Sequence, residues 1–436
     1  MSSHYRQAHW PSGLTGSVTQ PARLFAIILC NLSVGRVNAA EWLKVNASQH
    51  LAVYFRPDCV HTQAMVSPQR LPASLTPLET ALAALLRGLE PLAPAALPLA
   101  DALGCVAAGM PPLQAYPPRA IAAADGWALR ARDLVGASSY SPLPLARAPV
   151  WVEAGDAIPD NCDCVVDSDS LDQTGQMVQV LAEAIPGQGV RRLGGDIAEG
   201  SVVIAAGRRI RPLDLMIARA AGLEKLDVRR PRLRVVNIPT SGNAVTAQLI
   251  SESARAAGAE TICAEATARD AASIAAALDG GACDLLVAIG GSGVGRTDAA
   301  IAALARRGEV IAHGIALQPG RTSAVGGIGK IPVIALSGAP DQGLAAWWTL
   351  VLPVLDRLSG RLPRQKITLP LARKIASSVG IAELVLLERR ASTWLPLAVG
   401  EMPLATIARA DAWLAVPAGS EGFAAGAPVD AYMLRD

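Results

Sequence analysis

From Arg232 onward the chain repeats one unit, a short apolar run, a turn and a helical stretch, and this rhythm restricts the fold more than any other feature. Leu233 to Ile238 reads as a strand, followed by a helix over Val245 to Ala257. Glu260 to Ala264 and Asp270 to Leu278 repeat the pair. Asp284 to Ile289 is a nearly unbroken apolar strand, as expected where both faces of a sheet are covered. A helix over Thr297 to Arg307, a strand over Ile331 to Leu336 and a long amphipathic helix over Gln342 to Leu358 complete the series. Alternating strands and helices predict an α/β domain with a doubly wound, mostly parallel sheet over residues 231–360.

The flanking regions have a different texture. Ser74-Leu75-Thr76-Pro77 has the form of a helix start, and Leu78, Ala81, Leu82, Leu85 and Leu86 follow at helical spacing. Short apolar stretches cut by proline and glycine then run from 95 to 210, and Pro212 to Gly222 reads as a helix with a proline start and a glycine stop. Residues 74–230 are thus expected to hold an N-terminal helix and β-rich subdomains, and 366–436, after a linker at Arg361 to Arg364, a small C-terminal β domain. Residues 1–73 read as an unstructured or wrongly annotated leader rather than an export signal, because Asn31 and Ser33 interrupt an apolar run that is too short to span a membrane.

Composition narrows the chemistry. Apolar residues make up 51% and charged residues 17%, so a well-buried core is feasible. A formal net charge of +2 gives no case for a nucleic-acid surface, so a bound anion has to be held locally by loops and helix ends. The seven cysteines form no C-x-x-C pair, and four of the five histidines precede residue 62, leaving His313 alone in the body. Neither a zinc site nor a Ser-His-Asp triad is readily built. A cytoplasmic location, with no membrane and no nucleic-acid partner, is expected.

In open α/β sheets ligands sit beyond the C-terminal ends of the strands. Three predicted strand-to-helix loops leave there: Pro239-Thr240-Ser241-Gly242-Asn243, Gly290 to Asp298 and Ser337-Gly338-Ala339-Pro340. Glycines let the backbone approach an anion, and the helix N-termini that follow supply N–H donors. Asp298 reads equally as a helix N-cap or as a ligand. Gln318-Pro319-Gly320-Arg321 is either a Pro-Gly turn or an arginine aimed at an anion. Asp125-Gly126 is either a hairpin turn or part of a site.

The order and spacing of these pieces, from about residue 74 to the end, resemble the molybdopterin molybdenumtransferase family, to which the gephyrin E domain belongs. The family's Ser-x-x-Asp-Gly-Tyr-Ala element is similar to Ala122 through Ala128, and its Arg-x-x-Gly-x-Asp element to Arg191 through Asp196. Its Gly-Gly-x-Ser-x-Gly-x-x-Asp loop is similar to Gly290 through Asp298, and an aspartate before the preceding helix matches Asp270. The resemblance implies an elongated homodimer of four subdomains. It implies adenylylated molybdopterin and molybdate as substrates, magnesium as cofactor, release of AMP, and a molybdoenzyme acceptor for the product. On this reading Asp125, Asp196, Asp270 and Asp298 are the catalytic acids, with Asp125 and Asp298 on the metal. Ser241, Gly242 and Asn243, Gly290, Gly291, Ser292, Gly293 and Gly295, Pro319, Gly320 and Arg321, and Ser337 with Gly338 bind the ligand.

Several positions depart from the family pattern. Ser-Thr-Gly-Asp-Glu-Leu becomes Thr240-Ser241-Gly242-Asn243-Ala244-Val245, without either acid, and Lys-Pro-Gly-Lys-Pro becomes Gln318-Pro319-Gly320-Arg321-Thr322, without either lysine. The family's Pro-Gly-Asn-Pro-Val-Ser reads Ser337 to Gln342, and Ser292-Gly293 stands where Val-Ser is usual. Magnesium prefers carboxylate oxygens and molybdate needs donors or cations, so these losses bear on metal insertion more than on pterin binding. The alternatives are a non-catalytic molybdopterin carrier or chaperone, and an oligomeric scaffold with an empty pocket.

Overall fold

The computed structural model describes residues 69–175, 177–240, 244–279 and 281–434, so the expected leader lies outside the described residues as far as residue 68. Gln69, Leu71 and Pro72 already touch the body of the fold, ahead of the start at 74 that the sequence suggests. Strand β1 (Thr76–Pro77) pairs in parallel with Ile315–Ala316, and α1 (Leu78–Leu86) follows directly. The helix starts where that pairing ends: its N-cap is Pro77, which supplies no side-chain bond, rather than Ser74. Leu78, Ala81 and Leu85 form its buried stripe.

Residues 95–229 build small sheets of two or three short strands. Gly126–Leu129 lies between Val150–Val152 and Cys164–Val166, while Ile121–Ala122 pairs with Val190–Arg191. Helix α2 (Pro212–Ala220) has its proline in the first turn, and Gly222 follows at φ +77°, a left-handed stop that suits glycine.

The regular region contains β2 (Arg232–Asn237), α3 (Val245–Ala256), β3 (Glu260–Glu265), α4 (Ala271–Leu278), β4 (Leu285–Ile289) and α5 (Ala300–Arg307). It continues through β5 (Glu309–His313), β6 (Ile315–Gln318), β7 (Ala324–Ile328), β8 (Ile331–Leu336), α6 (Pro340–Ala346) and α7 (Leu352–Ser359). The sheet order is β3-β2-β4-β8-β7-β5, parallel from β3 to β8 and antiparallel beyond. Successive residues of β4 face opposite ways. Leu285, Val287 and Ile289 join the core under α3, α6 and α7, and Leu286 and Ala288 the core under α4 and α5. Both faces are therefore dry, which explains the unbroken apolar run.

The antiparallel pair β5 and β7 is a departure from the expected rhythm, since Gly326 and Gly327 conceal a strand. The helix expected from Thr297 begins at Ala300. The single helix expected over 342–358 is three segments, with a π turn at Trp347–Val351 just before Pro353. Proline has no N–H for the helical ladder, and the widened turn accommodates it.

Strands β9 (Lys366–Pro370), β10 (Ala382–Arg390), β11 (Thr393–Val399), β12 (Ala412–Val416) and β13 (Pro428–Met433) form a second large sheet. Its order is β1-β6-β10-β12-β13-β9, with β11 on β10, so β6, though it lies between β5 and β7 in sequence, belongs to this sheet and not to the central one. Trp348 of the π turn stacks on Trp413 at 5.2 Å, which stacks on Tyr432 at 4.8 Å. Among the described residues no helix is long and apolar enough to cross a membrane.

Candidate functional site

Strands β2, β4 and β8 are parallel neighbours, so the chain leaves all three at one sheet edge. Gly290 N donates to Leu336 O at 2.9 Å, and a Cβ built on Gly338 would lie 3.6 Å from Gly290 Cα, so the second and third loops touch. Thr246, in the first turn of α3, donates through Oγ1 to Gly338 O at 2.6 Å and ties the start of that helix to the third loop. Within the first loop Ser241, Gly242 and Asn243 lie outside the described residues. Beside it an open groove of about 620 Å³ is lined by Asn237, Gln248, Ser251, Arg255, Cys263 and Glu265, among others.

The Gln318-Pro319-Gly320-Arg321 turn arrives from the other sheet. A Cβ on Gly320 would lie 3.3 Å from Gln342 O, so the turn packs against the start of α6, just beyond Ser337 and Gly338. Gly320 has φ +118°, a backbone that excludes most side chains. Arg321 is exposed, and no ion pair of its guanidinium is found among the described residues.

In the glycine loop, Gly290 and Gly291 have φ of +92° and +65°. The N–H groups of Ser292, Gly293 and Val294 meet no backbone acceptor among the described residues. Asp298 closes the loop: Oδ2 accepts from Gly295 N at 2.9 Å, and Oδ1 pairs with Arg269 Nη2 at 2.9 Å. It is not the helix N-cap, a position taken by Ala299. Arg269 also donates to Pro239 O at 2.8 Å and to Thr297 Oγ1 at 3.2 Å, so one guanidinium joins the first two loops. Arg269 cannot be singled out from the sequence, because an arginine beside Asp270 has no signature that separates it from a surface charge.

Ser292 is 0% exposed and its Oγ has no hydrogen-bond partner among the described residues. The serine one position upstream of the family's place thus has its hydroxyl in the interior. At Gly293, where the family pattern has serine, an added Cβ would lie 2.6 Å from Asp298 Oδ2. The space beside that position is filled by the aspartate that Arg269 holds.

The remaining acids each have a local partner. Asp270 caps α4, accepting from Ala272 N at 2.9 Å, Ser273 N at 3.0 Å and Ser273 Oγ at 2.6 Å. The Ser273 hydroxyl, then the backbone donors, hold its carboxyl below the usual carboxylate range. Asp125 accepts from Ala154 N at 2.8 Å. Gly126 has no positive φ; it opens a strand whose approach to the Val166 carbonyl leaves no room for a Cβ, so Asp125-Gly126 is not the hairpin turn the dipeptide suggests. Asp196 is exposed and pairs with Arg191 at 3.2 Å. Asp125 and Asp196 belong to the β-rich region, and Asp270 and Asp298 to the sheet edge. Among the described residues no group of three or more His, Cys, Asp or Glu side chains is placed to hold a metal ion. Asp125 and Asp298, the pair expected on the metal, are each engaged elsewhere, Asp125 by Ala154 N and Asp298 by Arg269 and Gly295 N.

Comparison with known proteins bears on this edge. Residues 76–222 match the family described as MoeA N-terminal region (domain I and II), and residues 191–357 that described as probable molybdopterin binding domain. A putative molybdopterin biosynthesis protein of Methanocaldococcus jannaschii is 25% identical over 72% of this chain and 85% of its own. Molybdopterin molybdenumtransferase 2 of Mycobacterium tuberculosis is 29% identical over 61% of this chain and 76% of its own. Among solved structures, the molybdopterin biosynthesis MoeA protein from Pyrococcus horikoshii is similar at a TM-score of 0.61 and 25% identity, over 83% of this chain and 100% of that one.

Proposed function

The chain belongs to the molybdopterin molybdenumtransferase family, and from that membership we propose that its sheet-edge loops bind adenylylated molybdopterin and present the dithiolene to molybdate, with release of AMP. Its role lies in molybdenum cofactor biosynthesis, with molybdopterin and molybdate as substrates. The observation that carries the reading is the meeting of the second and third loops at one edge, where the N–H groups of Ser292, Gly293 and Val294 meet no backbone acceptor among the described residues. Phosphate oxygens are the natural acceptors for such donors, and the exposed Arg321 adds a cation on the neighbouring turn. The groove beside the first loop gives a flat heterocycle room next to Asn237 and Glu265.

Insertion has weaker support than binding. Ala244 and Gln318 carry no charge, and Asp298 is already neutralised by Arg269. Magnesium is the cation the family implies, with Asp125 and Asp298 its expected ligands. Among the described residues no three carboxylates, histidines or cysteines gather into a coordination shell for it. These features favour a second reading, a carrier that holds molybdopterin on the same fold without turnover. A homodimer, a cytoplasmic location and a molybdoenzyme acceptor complete the proposal. The test is anaerobic titration with adenylylated molybdopterin followed by assay of molybdate-dependent AMP release. Binding with release supports the transferase, binding without release the carrier, and no binding removes both.

A further inference from the structure

Gln69 precedes both matched stretches of the chain, yet its side chain lies on the glycine loop. Its Nε2 donates to Gly291 O and to Gly293 O, each at 2.9 Å. His313 Nε2 lies 2.9 Å from the carbonyl between them, Ser292 O, and as that oxygen can only accept, the ring nitrogen donates. Gln69 and His313 thus reach three successive carbonyls, of which Gly291 O also accepts from Ala300 N at 3.0 Å. In a trans peptide the C=O and the following N–H point in opposite directions. Fixing these carbonyls directs the N–H groups of Ser292, Gly293 and Val294 away from Gln69 and His313.

The rest of the Gln69 amide is also used. Its Oε1 accepts from Ile301 N at 2.8 Å. Ile301 is in the first turn of α5, where helix N–H groups lack intrahelical partners, and the N-cap Ala299 supplies no side-chain acceptor. One amide therefore caps the helix and holds the loop that leads into it. The backbone that carries Gln69 is itself anchored. Gly314, at φ +89°, leaves space that Leu71, Pro72 and Leu75 fill, since a Cβ there would lie 3.0–3.1 Å from all three. Thr76 N donates to Gly314 O at 2.9 Å as the strand pairing begins.

We infer that Gln69 is a positioning residue for the ligand: with His313 it sets the peptide orientation of the glycine loop, so that the loop's N–H groups face the phosphate-bearing substrate. This rests on the molybdopterin reading above. Gln69 itself does not touch the ligand.

The test uses the full chain with Gln69→Ala, Gln69→Glu and, as control, Arg70→Ala, whose side chain is on an exposed residue. The readouts are amide exchange at Ile301, backbone chemical shifts of Gly293 and Val294, and the Kd for molybdopterin under anaerobic conditions. Gln69→Ala should speed Ile301 exchange and raise Kd, each about tenfold, the size expected for losing one or two hydrogen bonds. Gln69→Glu keeps an acceptor for Ile301 but sets a carboxylate oxygen against two carbonyls. Ile301 should stay protected while the Gly293 and Val294 shifts move and Kd rises at least as far. Arg70→Ala should change none of these. Wild-type affinity in Gln69→Glu would overturn the inference, as would equal acceleration at Ile301 and Leu304 in Gln69→Ala, a sign of general destabilisation. If the unmodified protein binds no molybdopterin, the functional reading falls and the substrate-facing role with it, while the Gly293 and Val294 shifts in Gln69→Glu still decide whether Gln69 holds the loop.

Discussion

Asp298 and a side chain at position 293 compete for one volume, and in this chain the aspartate occupies it. A Cβ at Gly293 would lie 2.6 Å from Asp298 Oδ2, and that oxygen cannot swing away cheaply because Arg269 and Gly295 N hold the carboxylate. Gly293→Ser, which restores the family serine, should therefore destabilise the protein by roughly 1–3 kcal/mol, the usual cost of forced overpacking. With Arg269→Ala only Gly295 N still holds the carboxylate, so it turns more easily and the serine should cost clearly less. Urea unfolding of the two single variants and the double variant measures this coupling, and strict additivity would refute it. Asp270 gives a pH signature of its own. Its folded carboxyl is held low by Ser273, so the stabilisation from its charged form is present above the unfolded carboxylate pKa and is lost as pH falls through the lower folded value. Asp270→Ala should cost roughly 0.5–2 kcal/mol at neutral pH, the range for losing an N-cap, and the gap to the unmodified protein should narrow in acid. A gap that stays constant from pH 7 to pH 2 in chemical denaturation would exclude this role.

Between elements, the contact of α3 with α6 sets the third loop. Gly343 of α6 faces Thr246 of α3 so closely that an added Cβ would lie 2.5 Å from Thr246 Cγ2. Alanine is the better helix former by about 1 kcal/mol, but here the clash decides the sign, because Thr246 is buried and its hydroxyl holds Gly338 O. Gly343→Ala should lower stability by roughly 1–3 kcal/mol and weaken ligand binding through the displaced loop. Thr246→Ser, which removes the methyl and keeps the hydroxyl, should relieve most of both effects; no relief in thermal melts and titrations would count against the contact. Much of this level was legible in the sequence. The strands β2, β4 and β8 and the helices α3 and α4 announce themselves because apolar periodicity reports burial directly, and the loop edge follows from their order. What was hidden depends on long-range partners. The glycine-containing β7 packs through its backbone, and β6 is an ordinary apolar run whose sheet cannot be known before β10 is placed. Arg269, Gln69 and the inward turn of Ser292 likewise have no periodic signature, since each is defined by what it meets.

At the scale of the whole molecule, β6 and the stacked aromatics decide whether the central sheet can stand without the C-terminal one. Sequence texture divides them at the linker near Arg361 to Arg364, with an α/β domain ending at 360 and a β domain beginning at 366. The structure links them through a shared core in which Ala382, Leu384 and Leu386 join Leu285 and Val287, and most visibly through β6 and Trp348. Strand β6 runs between β5 and β7 in sequence but pairs with β1 and β10, so the turn carrying Gly320 and Arg321 hangs from the C-terminal sheet. Trp348, 9% exposed inside the π turn, has Trp413 of β12 as its stacking partner. A chain ended after Arg364 would leave β6 without its β10 neighbour and expose Trp348 to water. Uncovering one large aromatic side chain alone costs several kcal/mol, on the order of the 3–5 kcal/mol lost when such a residue is deleted from a core, against a typical total of about 5–15 kcal/mol. The truncated chain should therefore be insoluble, or unfold at much lower denaturant, and should bind no molybdopterin even though it retains all three sheet-edge loops. The intact chain should lose both sheets in one transition when unfolding is followed by tryptophan fluorescence and by far-ultraviolet circular dichroism. A stable, ligand-binding chain ending at Arg364, or two well-separated transitions in the intact protein, would establish that the two sheets are independent and that the linker is a true domain boundary.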